Sequence, residues 1–213
     1  MSILHKDRIL ALLKKPIDDP AALRITPLLD GEAQIKEDAV DIRLGCYFLV
    51  PRSEKGDAFV PGTTRGEQVA YRLHVPPGRT VTIPGKGVVL ASAYEYIKMP
   101  GHIAGQVLTR SSIGRIFVTT ATANLVHAYY RGCLTLEIVN HGNSPLQLDT
   151  LSRIAQLQFH DIGEEKALDR DKVSGRYTAA IEPEFPDFDA DMTELKKLRS
   201  FSSGLGKEAP SIS

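Results

Sequence analysis

The segment TRSSIGR, residues 109–115, places two guanidinium groups and two hydroxyl groups between two apolar runs. If a helical turn begins at Ser111, then Ser111 and Arg115 lie one turn apart on the same side. Serine hydroxyls, a forked guanidinium and the free amides of such a turn all donate hydrogen bonds, which suits an anionic ligand. The same residue types also fit a capping serine flanked by surface arginines. The segment alone leaves both interpretations open.

Glu137 lies in the middle of the apolar and β-branched run CLTLEIVN, residues 133–140. Strand alternation places Leu134, Leu136 and Ile138 on one face and Glu137 on the other. One interpretation is that the second face is exposed to water, which is common in antiparallel sheets. The other is a carboxylate in a pocket, where partial desolvation raises its pKa toward the range useful for proton transfer.

Short β-branched or aromatic runs separated by Gly, Pro and Asn must position these residues. The runs are AVDIRLGCYFLV, RTVTI, GVVLASAYEYI, GQVLT, IFVTTATANLV, CLTLEIVN, PLQLD and IAQLQFHDI. Many short strands with turn signals between them predict a mainly β fold, either an antiparallel barrel or a double-sheet jelly roll.

Helical patterns are expected only near the two ends of the chain. Ser2 is predicted to cap an N-terminal helix that Pro16 terminates. Near the other end, MTELKKLRSF predicts one or two amphipathic turns after the acidic, Pro-broken stretch IEPEFPDFDAD. We therefore expect a β-barrel domain over residues 1–180, followed by an acidic linker, a short helix and a flexible tail over residues 181–213.

Charge and cysteine content narrow the functional classes. Lys plus Arg total 26 and Asp plus Glu total 26, so no net positive charge attracts nucleic acid or an anionic membrane. No apolar run reaches membrane-spanning length, and charged residues interrupt the N-terminal segment where a signal peptide needs an apolar core. The two cysteines predict neither a disulfide framework nor a Cys-rich zinc site. These features predict a cytoplasmic protein, and they leave open a small anionic ligand held by a few local donors.

Five motifs resemble, in order and spacing, the dCTP deaminase branch of the dUTPase-like superfamily. They are AVDIRLG, RSSIGR, then YRGCLTLEIVNHG, IAQLQF and SGRY. The resemblance implies a distorted jelly-roll or dUTPase-like β-barrel, a homotrimer with active sites between subunits, and hydrolytic deamination of dCTP to dUTP and ammonia. It also implies that Mg²⁺ arrives with the triphosphate and that dTTP is a possible inhibitor. Zinc is not expected, because the H-x-E and P-C-x-x-C patterns of zinc deaminases do not occur.

The resemblance also implies catalytic roles for three residues. Glu137 would be the general base and acid, taking a proton from the attacking water and delivering protons to the ring and to the departing ammonia. Ser111 would help to hold that water, and Arg115 would orient Glu137. A backbone carbonyl around Thr122 or Ala123 would hold the water from a further side.

A second group of residues matches the family's nucleotide contacts. These are Arg110, Ser112 and Gln156 at the phosphates, and Arg176 and Tyr177 in a C-terminal Arg-Tyr pair that closes over the nucleotide.

His127 occupies the position beside the sugar where the family usually carries an acidic residue. Related phosphatases use a carboxylate there, so the histidine predicts that dUTP is the end product. Two alternatives remain: a dUTP diphosphatase or bifunctional deaminase and diphosphatase, and a non-catalytic nucleotide-binding trimer.

Overall fold

Most of the regular structure is β-strand in the computed structural model, which describes residues 2–52, 59–121, 125–163 and 179–201. The strands are β1 Ser2–Ile3, β2 Arg24–Thr26, β3 Ala39–Pro51, β4 Ala70–His74, β5 Thr80–Ile83, β6 Val88–Lys98, β7 Ile103–Thr109, β8 Val118–Ala121, β9 Leu125–Val126, β10 Arg131–Asn140, β11 Leu146–Asp149 and β12 Arg153–Asp161. The helices are α1 Lys6–Leu13, α2 Gly66–Val69, α3 Ser111–Gly114 and α4 Asp189–Phe201, and a 3₁₀ turn covers Gly31–Gln34. The mainly β class is confirmed.

Antiparallel pairing joins most strands into one sheet, in the order β8-β10-β6-β3-β12-β7-β9. The short strands β1, β2 and β4 pair with β12, β6 and β3, while β5 and β11 form a separate two-stranded sheet. The first half of β3 pairs with β12, whereas its second half pairs with β6 and β4. One long strand thus belongs to both halves of the sheet, as in barrel-like folds whose strands bend from one sheet into the other.

Gly45 lies where β3 changes partners. The register between β3 and β6 shifts between Leu44 and Phe48. A Cβ atom on Gly45 would lie 2.3 Å from Ser92 Oγ and 2.6 Å from the Ser92 carbonyl oxygen. The two strands approach so closely that only glycine fits there.

The predicted strand runs match the observed strands with one difference. The run IFVTTATANLV contains two of the described strands, β8 and β9, which pair with different partners. The sequence did not indicate β1, β2 or β4, because the first two are only two and three residues long and β4 is largely exposed, without an apolar alternation.

The predicted cap of the N-terminal helix was wrong. Ser2 lies in β1, paired with Asp161, and the helix begins at Lys6. His5 is the N-cap instead, because its Nδ1 accepts a hydrogen bond of 3.4 Å from the Asp7 amide. The helix ends at Leu13, ahead of Pro16, as expected.

The C-terminal helix, α4, has 13 residues and is longer than the one or two turns expected. None of the helices in the described segments combines the length and apolar character needed to cross a bilayer.

The segment that precedes α4 packs against the chain around α2 and β4. Arg72 Nη1 donates to Glu182 Oε2 at 3.0 Å, and its guanidinium lies 5.1 Å from the centre of the Phe185 ring. The rings of Phe59 and Phe188 lie 6.1 Å apart. The division into residues 1–180 and 181–213 stays a prediction.

Candidate active site

The turn that follows β7 carries the hydroxyl and guanidinium groups of the RSS motif. The amide of Arg115 donates to the Ser111 carbonyl at 3.1 Å, so these residues lie one helical turn apart, as predicted. The side chains of Ser111, Ser112 and Arg115 are exposed. The Thr109 hydroxyl accepts the Thr120 amide at 2.9 Å and so fixes the end of β7 beside β8.

Glu137 lies at the centre of β10, where its backbone is in register with Leu90 of β6 and Ala121 of β8. Its side chain is half-buried, while Leu136 and Ile138 on the opposite face are buried. The predicted alternation is confirmed. The carboxylate thus belongs to the partly covered face of β10, between two neighbouring strands.

Asp41, on β3, is a buried carboxylate that sequence reasoning did not assign. It is 0% exposed. Its Oδ1 accepts from Gln156 Nε2 at 3.1 Å and lies 3.9 Å from Arg110 Nε. Two residues predicted to bind phosphate, 46 positions apart in the sequence, therefore meet at one carboxylate.

Two further cations contact the other oxygen of Asp41. Arg153 Nη1 donates to Oδ2 at 3.1 Å, and Lys36 Nζ lies 3.6 Å from the same atom. We call Lys36, Asp41, Arg110, Arg153 and Gln156 the Asp41 cluster. With three cationic side chains around one carboxylate, the cluster has an excess of positive charge.

A second buried carboxylate, Glu95, is linked to the Asp41 backbone through Gln34. Glu95 is 0% exposed and accepts from Gln34 Nε2 at 2.6 Å and from the Arg43 amide at 3.0 Å. Burial raises the pKa of Glu95, and these two hydrogen bonds lower it in part. Gln34 Nε2 also donates to the Asp41 carbonyl at 2.7 Å. The network therefore fixes the backbone of β3 at Asp41.

A single acidic residue inside the apolar run AVDI was the sequence signal for Asp41. A charge between two buried neighbours, Val40 and Ile42, is retained in a core only when donors surround it. Its partners lie as far as 115 residues away, and no spacing rule connects them.

The remaining predicted residues are placed as follows. His127 follows β9 with an exposed side chain, and its carbonyl accepts the Tyr130 amide at 3.2 Å in a turn. Ala123, Arg176 and Tyr177 lie outside the described residues.

The structure thus brings Arg110 and Gln156 together, with Ser111 and Ser112 directly after Arg110. Glu137 lies in the other half of the sheet, and β8 links the two regions, since it pairs with β10 and bonds to Thr109. Within the described ranges, His, Cys, Asp and Glu side chains do not form groups of three or more that could hold a metal ion.

Comparison with known proteins identifies the family. The family model described as dCTP deaminase-like matches residues 3–162. A dCTP deaminase of Natronomonas pharaonis is 33% identical, over 68% of this chain and 75% of that protein. A dUMP-forming dCTP deaminase of Methanobrevibacter smithii is 34% identical, over 81% of this chain and 90% of that protein.

A solved structure extends the comparison to the fold. The crystal structure of 2'-deoxycytidine 5'-triphosphate deaminase from Agrobacterium tumefaciens superposes with a TM-score of 0.55 at 23% identity. The match covers 76% of this chain but only 46% of that longer chain. The likeness confirms the expected fold. With the model match over three quarters of its length, the chain belongs to the dCTP deaminase-like family.

Proposed function

We propose that the protein hydrolyses dCTP to dUTP and ammonia. The observation that carries the proposal is the family match over residues 3–162, which contains Glu137, Ser111 and Arg115. The names of the similar proteins agree with it, since they are dCTP deaminases. We place this reaction in pyrimidine deoxynucleotide metabolism and in the cytoplasm.

Glu137 moves the protons in this mechanism. Its carboxylate takes a proton from a water molecule held by Ser111 and the backbone near Ala123, and the water oxygen bonds to C4 of the cytosine ring. Glu137 delivers that proton to N3, then transfers the hydroxyl proton to the amino group, so that the C4–N bond breaks and ammonia leaves. Arg115 orients Glu137, and fixed hydrogen bonds in place of zinc polarise the water.

The triphosphate, which brings Mg²⁺ with it, binds at the Asp41 cluster. Arg110 and Gln156 contribute side-chain donors there, and Ser112 follows on the adjoining turn. Support comes from the excess of positive charge around Asp41, which suits a polyanion. Arg176 and Tyr177 cover the nucleotide, and dTTP competes for the same site.

We also propose that the protein is a homotrimer with each active site shared between subunits. Exposed apolar side chains support this assembly. Phe117 is 70% exposed and its neighbour Ile116 is 45% exposed. Leu108 and Leu125 are exposed as well and share one face of the paired strands β7 and β9. Apolar surface of this kind marks protein contacts.

A dUMP-forming enzyme is the second candidate, and the name of the Methanobrevibacter smithii relative favours it. Hydrolysis at the α-phosphorus needs a base beside the sugar. In this proposal the exposed His127 takes the place of that base, and an imidazole ring cannot hold the water and the sugar hydroxyl together as a two-oxygen carboxylate can. We therefore propose that dUTP accumulates.

Glu137→Gln tests the proposed mechanism, because it keeps the shape of the side chain and removes the proton shuttle. Turnover of Mg·dCTP should fall by at least about 10³-fold while calorimetric binding of dCTP stays within a few-fold. Glu67→Gln, at an exposed glutamate of α2, is the matched control and should retain wild-type turnover. Wild-type activity in the Glu137 variant would remove Glu137 from the mechanism.

Zinc dependence is tested separately. A zinc-selective chelator followed by Mg²⁺ should leave turnover unchanged, since neither zinc-deaminase pattern is present in the sequence. Activity that only added zinc restores would contradict the proposal.

A further inference from the structure

Arg153 is a member of the Asp41 cluster to which neither the motifs nor the family match assigns a role. It opens β12, three residues before Gln156. Residues three apart on a regular strand point to opposite faces. Here the register of β12 against β3 shifts between Arg153 and Ala155. This irregularity lets Arg153 and Gln156 reach the two oxygens of the same carboxylate.

The contacts of Arg153 leave part of its guanidinium available. One hydrogen bond goes to Asp41, and Nη2 lies 3.6 Å from Asp30 Oδ2, a carboxylate that also pairs with Arg43. An arginine carries five N–H donors in a planar fork. The side chain is 33% exposed, close to the 35% of Arg110, which shares Asp41 with it. Both arginines thus have a buried anchor and an accessible end.

We propose that Arg153 is a further triphosphate-binding residue and that Asp41 is the residue that positions it. Asp41 holds Arg110, Arg153 and Gln156 in one arrangement before the ligand binds, which lowers the entropy lost by each side chain on binding. The inference rests on the proposed function for the identity of the nucleotide. The inference that a polyphosphate binds at the Asp41 cluster depends only on the charges and contacts of its residues.

Arg153→Met tests the inference through the number of phosphates in the ligand. Titration calorimetry would measure Mg²⁺-tripolyphosphate, Mg·dCTP and dCMP with the full chain. Affinity for the first two should fall by about tenfold or more, because charge-assisted hydrogen bonds are lost, while affinity for dCMP changes by less than about twofold. A purely structural role for Arg153 would weaken all three ligands together.

Two further variants serve as controls, one for the loss of any exposed arginine and one for the loss of the positive charge beside Asp41. Arg8→Met, at an exposed arginine of α1, should leave all three affinities unchanged. Arg153→Lys keeps a cation beside Asp41 but loses the fork, so it should retain the stability of the wild type and still bind tripolyphosphate more weakly.

The outcomes separate this inference from the proposed function. If dCTP is deaminated but the Arg153 variants bind tripolyphosphate and dCTP as tightly as the wild type, the role of Arg153 is wrong and the function stands. If tripolyphosphate binding depends on Arg153 while dCTP is not turned over, the anion site stands and the proposed reaction falls. Equal loss of dCMP and dCTP affinity would also overturn the inference.

Discussion

Asn140, at the end of the strand that carries Glu137, holds three chain segments together through one side chain. It is 2% exposed. Its Nδ2 donates to the carbonyl oxygens of Ile83, Pro84 and Ser144 at 3.3, 3.0 and 2.9 Å. Its Oδ1 accepts the Gly142 amide at 2.9 Å. Asn140→Asp keeps the shape and this last bond, but points a carboxylate oxygen at three carbonyl oxygens.

The expected cost follows from these contacts. The amide hydrogen bonds are worth about 0.5–1.5 kcal/mol each, and a buried charge without a partner adds more, so the loss at pH 7 should reach roughly 3–5 kcal/mol. Burial and the facing carbonyls raise the pKa of the new carboxyl group in the folded state. The variant therefore comes closest to the wild type at low pH, where the group is protonated, and the loss grows as the pH rises toward that folded-state pKa.

Urea denaturation of Asn140→Asp and wild type between pH 4 and pH 8 measures this difference. Asn143→Asp is the matched control at an exposed asparagine three residues away, and it should change the free energy of unfolding by less than about 0.5 kcal/mol. If the Asn140 variant were as stable as the wild type at pH 7, or if its deficit did not depend on pH, the description of this hydrogen-bond network would be refuted.

Two further predictions concern the sheet. Gly45→Ala should lower the free energy of unfolding, measured by urea denaturation, by about 1–3 kcal/mol or more, because the added Cβ would overlap Ser92. Gly114→Ala is the control, since nothing lies within 4 Å of the added Cβ there, and equal effects of the two variants would contradict the close approach of β3 and β6. Burial and the nearby Glu95 raise the pKa of the Cys133 thiol to about 11. Labelling of Cys133 by a thiol reagent at pH 7 should therefore be about 10²-fold slower than labelling of free cysteine, and it should accelerate as the pH rises. Rapid labelling at pH 7 would contradict this description of the thiol's surroundings.

The sequence predicted local features well where a repeating pattern carried them. Alternation in β10 placed Glu137 opposite Leu136 and Ile138. The helical turn considered at Ser111 is present, but Arg110 is its N-cap and no side chain caps it. It misplaced the start of the first helix, because pairing of Ser2 with Asp161 is a contact across the whole chain that no local rule contains.

The Asp41 cluster shows the same limit within the candidate site. Arg110 and Gln156 were predicted through family motifs, but the carboxylate that joins them was not assigned. Arg153 reaches Asp41 because of a register irregularity in β12, and such irregularities depend on how neighbouring strands pack. The contact between Arg153 and Asp41 therefore could not be predicted from the sequence.

Quantifying ammonia, dUTP and pyrophosphate together during incubation of the wild-type protein with Mg·dCTP tests the central claim most directly. Ammonia and dUTP should appear in equal amounts, and pyrophosphate should stay near the background rate if His127 has the role that we propose. Pyrophosphate rising in step with ammonia would show a dUMP-forming enzyme and refute the role given to His127. Binding of dCTP without release of ammonia would contradict deamination itself.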